Sequence, residues 1–157
     1  MTNCKVRATK FEDVNWNAQE GLIELLGSNM DKKYINMVAN LTINDFGKDE
    51  LNIVFTALHG TSIVSVPPAL AQAGFRNVQI VEKQAVPDGN FPTVASPNPE
   101  ESAALAMAVA QAEATNADLV IGCDPDTDRV GIAVNDGTGR MQLLNGNDTA
   151  ALLVHYI

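Results

Sequence analysis

The chain has 157 residues, 46% of them hydrophobic, enough for one ordinary domain with a real core and too apolar for a disordered segment. Its 10 basic and 19 acidic side chains leave a net charge of −9, which disfavours nucleic acid or an anionic membrane as partner, because both need a basic patch. No apolar run approaches the ~20 residues of a membrane span, no signal peptide is evident after Met1-Thr2-Asn3-Cys4-Lys5, and Cys4 and Cys123 lack metal-type spacing, so a cytoplasmic protein with reduced thiols is expected.

Residues 1–15 carry mixed charge without periodicity and read as an extended lead-in. Residues 16–27 fit a helix through Trp16, Leu22, Ile23, Leu25 and Leu26, stopped by Gly27. Ser28 or Asn29 would cap a second helix to about Leu41, with Met30, Tyr34, Ile35, Met37, Val38 and Leu41 on its apolar face. After a polar turn over Asn44 to Glu50, the run Leu51 to Leu58 predicts a buried strand. His59-Gly60-Thr61-Ser62 is a small-residue loop. A helix follows from near Ser65, with Pro67 and Pro68 in its first turn and Gly74 at its end.

Asn77 to Glu82 predicts a second strand. Four prolines and one glycine make residues 83–99 a long irregular loop, of the kind that is usually functional or flexible. A helix is expected to open at Pro99 or Glu100, with Asn98 as cap and two glutamates in its first turn, and to run to Thr115. Its many alanines imply close packing on a sheet. Asp118 to Cys123 and Val130 to Asn135 predict strands three and four. A hairpin turn at Asp136-Gly137-Thr138-Gly139 leads to a short strand, Met141 to Leu144, and Asn147 or Asp148 would cap a last helix over Thr149 to Ile157. This alternation predicts an α/β fold, three-layer αβα with a mostly parallel mixed sheet, in which the strand after Arg129 joins antiparallel because its connection is short.

The chemistry concentrates in Asp124-Pro125-Asp126-Thr127-Asp128-Arg129, between two apolar strands. Aspartates are poor strand formers and repel one another, so three at alternate positions point to a bound cation. Asp124, Asp126 and Asp128 could offer three oxygens to one hard ion such as Mg2+, leaving coordination positions that a phosphate could fill. Arg129 is a planar fork suited to phosphate or sugar oxygens. An EF-hand would need Gly and Glu where Arg129 and Asn135 stand. An aspartyl-nucleophile phosphatase would need basic and acidic motifs downstream, where the only lysine or arginine residues are Arg129 and Arg140. A stand-alone acidic cation-binding module is the non-enzymatic alternative. His59, at a strand end, is either a substrate-adjacent residue or a shaper of its turn. His155 reads as a surface residue and Cys123 as a small buried one.

These residues resemble the α-D-phosphohexomutase family of phosphoglucomutases and phosphomannomutases. Beside the aspartate motif, Leu58-His59-Gly60-Thr61 looks like the loop after the first strand of that family's second domain. Pro87-Asp88-Gly89-Asn90-Phe91-Pro92-Thr93-Val94 and Ser96-Pro97-Asn98-Pro99-Glu100 look like the segment before its metal strand, in wording closest to the phosphoglucomutase branch. Asn145-Gly146-Asn147-Asp148-Thr149 is similar to the opening of its third domain. The resemblance implies Mg2+ held by Asp124, Asp126 and Asp128, Arg129 at the substrate phosphate, and hexose phosphate as substrate. It also implies a phosphoserine, in a Thr-Ala-Ser-His-Asn-Pro type run that this chain lacks, so no catalytic residue is assigned. The domains expected are a lead-in over 1–45, the metal-binding domain over 46–144, and the start of a following domain over 145–157, with the rest of the same chain as partner. Such a piece is expected to fold, hold Mg2+ weakly, keep a mobile aspartate loop and not turn over.

Overall fold

A computed structural model describes residues 26–157. The extended segment expected over 1–15, with Cys4, and nearly all of the helix expected over 16–27 lie outside the described residues. The chain divides into two compact units, Met1–Lys32 and Lys33–Ile157, and the sheet with its layers belongs to the second.

Helix α1 spans Gly27–Ala39, so it opens at Gly27, ahead of the expected caps Ser28 and Asn29. None of its residues is buried, and Tyr34 and Met37, expected on an apolar face, are more than half exposed.

Five strands follow: β1 (Asn52–Thr56), β2 (Asn77–Ile80), β3 (Leu119–Cys123), β4 (Val130–Asn135) and β5 (Met141–Leu144). They lie in the order β2-β1-β3-β4-β5. β1 runs parallel to β2 and β3, whereas β4 is antiparallel to both β3 and β5, so the sheet is mixed and all its strands but β4 run the same way, as expected. The antiparallel entry of β4 was expected, because a short turn cannot carry a chain back to a parallel start.

The period-two alternation of side chains gives each face its own cover. On one face Val54, Val120 and Ala133 pack with Ala108, Ala112 and Ala117. Ala108 and Ala112 belong to helix α3 (Ser102–Thr115). A side chain at Gly122 would strike Leu105 of that helix, so glycine and alanine together set its close approach. On the other face Phe55, Ala57 and Cys123 pack with Ile63 and Val66, from a 3-10 turn (Thr61–Val64) and helix α2 (Val66–Gln72). Helix, sheet and helix make the expected three layers.

Several boundaries differ from those expected. β1 stops at Thr56 because Leu58 and His59 both take positive φ, +46° and +61°, which breaks the extended run. β2 stops at Ile80, and Glu82–Gln84 forms a 3-10 turn. α3 begins at Ser102, not at Pro99 or Glu100. The Asn98 side chain accepts from the Glu100 N–H at 3.1 Å, and its carbonyl accepts from the Glu101 N–H at 3.0 Å. Those bonds close a separate turn, so both glutamates precede the helix. Helix α4 spans Gly146–Tyr156 and starts three residues earlier than expected, because Asn145, not Asn147 or Asp148, is the cap: its side chain accepts from the Asp148 N–H at 2.9 Å.

Candidate metal centre

β1, β2 and β3 run parallel, so the loops that follow them gather at one edge of the sheet, where α/β folds bind ligands. The register Cys123↔Val130 leaves Asp124 to Arg129 as the connection between β3 and β4. Asp124 continues from a buried strand end and is itself only 2% exposed, whereas Asp126 and Asp128 are exposed. One carboxylate oxygen from each of the three lies within 4.8 Å of the others. The alternate spacing thus produces a converging set of hard oxygen donors and no flanking helices, which agrees with the rejection of an EF-hand.

The turn is held from within by two residues. The Thr127 N–H donates to the Asp124 carbonyl at 3.1 Å, and Thr127 takes φ +68°, an uncommon conformation for a β-branched residue. Arg129 closes the loop on Asp124: its backbone N–H donates to Oδ1 at 2.9 Å and its Nε to Oδ2 at 3.1 Å. The same Nε lies 3.6 Å from Oδ1 of Asp128. The terminal amino groups of Arg129 have no hydrogen-bond partner among the described residues.

These contacts split the titration of the cluster. Burial alone pushes the Asp124 carboxyl up, but the Arg129 backbone N–H, a proton shared with Asp128 and the Arg129 guanidinium together hold it below the ordinary value. Asp128 is pushed up by that shared proton and by the charges of Asp126 and Asp124. The thiol of Cys123, buried beneath the loop, is pushed up by desolvation, which keeps it an inert core residue as expected.

Both ring nitrogens of His59 have hydrogen-bond partners. Nδ1 lies 3.1 Å from the Val86 carbonyl, which only accepts, so that nitrogen carries the proton. Nε2 lies 2.8 Å from Thr93 Oγ1. Thr93 in turn accepts from the amide of buried Gln84 at 3.0 Å, and Gln84 accepts from Thr56 at 2.6 Å. The His59 carbonyl accepts from the Asp88 N–H at 3.0 Å. Of its two readings, the turn shaper is the one that fits: His59 pins the 83–99 loop to the end of β1. His155 is exposed, as expected.

Sequence reasoning named Gly60 and Thr61 as part of a loop but missed their contact with the aspartate loop. The Thr61 N–H and hydroxyl both donate to the Pro125 carbonyl, at 2.9 and 3.1 Å, and the hydroxyl lies 3.2 Å from Thr127 Oγ1. A side chain on Gly60 would meet the Pro125 carbonyl oxygen at 2.7 Å and that of Ala57 at 2.9 Å. The His59 turn therefore rests directly on the aspartate loop, a consequence of β1 lying beside β3 with Thr56 opposite Gly122. The visible hints were a glycine soon after a strand end and the resemblance of Leu58-His59-Gly60-Thr61 to a family loop.

Comparison with known proteins places this geometry among relatives. Residues 32–137 match the family model described as phosphoglucomutase/phosphomannomutase, alpha/beta/alpha domain II. A phosphoglucomutase of Staphylococcus epidermidis (strain RP62A) is 39% identical over 138 residues, which are 88% of this chain and 25% of that protein. One from Staphylococcus aureus (strain USA300) is 44% identical over 123 residues, 78% of this chain and 22% of that one. The chain thus spans about a quarter of the length of the curated relatives it matches. A crystal structure of a phosphoglucomutase/phosphomannomutase family protein from Burkholderia thailandensis shares the fold, with a TM-score of 0.56 and 23% identity over 73% of this chain and 22% of that one.

Proposed function

The chain belongs to the phosphoglucomutase/phosphomannomutase family, and we propose that within an enzyme interconverting hexose 1-phosphate and hexose 6-phosphate it is the domain that holds Mg2+. The observation that carries this reading is the convergence of Asp124, Asp126 and Asp128 to within 4.8 Å at the ligand-binding edge of the sheet. The donor set fits: three hard carboxylate oxygens, with neither sulfur nor imidazole among them, suit a magnesium ion that takes one or two further oxygens from phosphate. When bound, such an ion stabilises negative charge on a transferring phosphoryl group.

The chain's own residues prepare that role. Arg129 fixes the buried Asp124 as an ionised anchor, and its terminal amino groups, without a hydrogen-bond partner among the described residues, would hold a phosphate oxygen. Asp126 and Asp128, on the exposed side, would complete the donor set. The phosphoserine that the family resemblance implies has no counterpart run in these residues. We therefore assign turnover to the whole enzyme and expect none from this chain alone. The apolar groove of about 580 Å³ lined by Leu41, Ile43, Phe46, Phe75, Leu153 and Tyr156 is assigned to contact with the remaining domains of that enzyme.

The test is a titration of the 157-residue chain with Mn2+, followed by electron paramagnetic resonance, with Mg2+ as competitor. One weak site near the millimolar range is expected, displaced by Mg2+ and lost in Asp126→Asn. Tight binding would favour a stand-alone cation-binding module. Hydrolysis of a phosphate ester by the chain itself, abolished by Asp124→Asn, would favour a phosphatase.

A further inference from the structure

Of the three carboxylates, Asp124 is fixed by Arg129, and Asp128 lies against the same guanidinium. Asp126, between them, is exposed and has no such tether among the described residues. Its orientation depends on the backbone on either side of it, and both sides are held from outside the loop. On one side the Pro125 carbonyl accepts from both the N–H and the hydroxyl of Thr61, so the peptide leading into Asp126 cannot rotate. On the other side Thr127 sits at φ +68° with its hydroxyl 3.2 Å from that of Thr61. Because Thr61 gives its own proton to Pro125, Thr127 is the donor of that last bond. A β-branched residue in the left-handed region persists only when its surroundings over-determine it, and Thr61 is part of that constraint.

We propose that Thr61 is the positioning residue for Asp126, bracketing it through Pro125 and Thr127 so that the three carboxylates are preset for the metal. Gly60 is part of the device, since any larger residue there would push Pro125 away and break both bonds from Thr61. Thr61 itself does not touch the metal. The inference rests on the metal reading given above and goes beyond it, because it assigns a role in ion affinity to a residue on a different loop.

Thr61 is exposed, so replacing it tests the site without emptying the core. Thr61→Val removes the hydroxyl and keeps the shape and the backbone N–H. Its Mn2+ dissociation constant should rise about three- to ten-fold, the effect of one hydrogen bond or two. The metal-free melting temperature should stay near that of the wild type. Amide exchange at Thr127 should accelerate, and Thr61→Ser, which restores the hydroxyl, should recover both affinity and protection. Affinity and exchange in Thr61→Val equal to the wild type, while Asp126→Asn loses the metal, would overturn the positioning role and leave the metal reading standing. A wild-type chain that binds no Mn2+ would overturn both. A loss of affinity in Thr61→Val matched by a lower metal-free melting temperature, with no rescue by serine, would mark Thr61 as merely structural and also overturn the inference.

Discussion

At the scale of the single residue, two aspartates four positions apart shift in opposite directions because they share a proton and only one of them is bonded twice by Arg129. Asp124 receives two bonds from Arg129 and stays ionised below the ordinary carboxylate range, despite its burial. Asp128, exposed, is pushed above that range by the proton it shares with Asp124 and by the charges of Asp126 and Asp124. The signs follow from linkage. The Asp124 contribution to stability is present above the unfolded value and lost as pH falls through its depressed folded value. The Asp128 contribution has the opposite sign: without a cation, its ionisation costs the folded state as pH rises through its raised value. Since a metal needs both carboxylates ionised, protons should displace it at Asp128 first. Mn2+ affinity is therefore expected to fall as pH drops from neutral towards the upper carboxylate range, while far-UV circular dichroism still reports a folded chain. Affinity that stays level until the fold itself is lost would contradict this division of labour.

At the scale of elements, periodicity revealed the five strands and the alternation of layers, and the alanine run of α3 announced its close packing. The aspartate triplet was legible because its residue types are wrong for the strands beside it. Element starts were less legible, because side chains chose among competing local bonds: Asn98 closed a turn before α3, and Asn145 capped α4 ahead of two other candidates. What joins loop to loop was not legible at all. Thr61 meets Pro125 only because β1 and β3 are neighbours in a given register, and that pairing is a property of the folded sheet. The same dependence on packing separates two glycines that look alike in sequence. A Cβ on Gly131 of β4 would meet the Pro99 backbone carbon at 2.6 Å and the Pro99 Cβ at 2.9 Å, and neither atom belongs to a flexible side chain. Gly89 has open space and no positive φ. Gly131→Ala should thus cost about 1–3 kcal/mol as overpacking, whereas Gly89→Ala should be neutral or stabilise by up to about 1 kcal/mol through the unfolded chain. Urea unfolding midpoints of the two variants check this, and equal midpoints would show that the Pro99 turn yields freely.

For the whole molecule, a net charge of −9 accompanies a cluster of three carboxylates at one sheet edge. A cation that binds this cluster in the folded state and not in the unfolded chain must stabilise the fold by mass action. At a Mg2+ concentration tenfold above the dissociation constant the gain is about 1.4 kcal/mol, or roughly 3–6 °C of melting temperature for a domain of this size. General screening of so acidic a protein would also raise the melting temperature, and sodium chloride at matched ionic strength isolates that part. The shift specific to Mg2+ should vanish in Asp126→Asn, which removes one ligand while leaving the Arg129–Asp124 anchor in place. It should shrink in Thr61→Val and return in Thr61→Ser. If sodium chloride reproduces the whole shift, the acidic edge is only a solvated turn. If Mg2+ alone produces it and Asp126→Asn abolishes it, the three carboxylates act as one site, and the fold has presented them before any phosphate arrives.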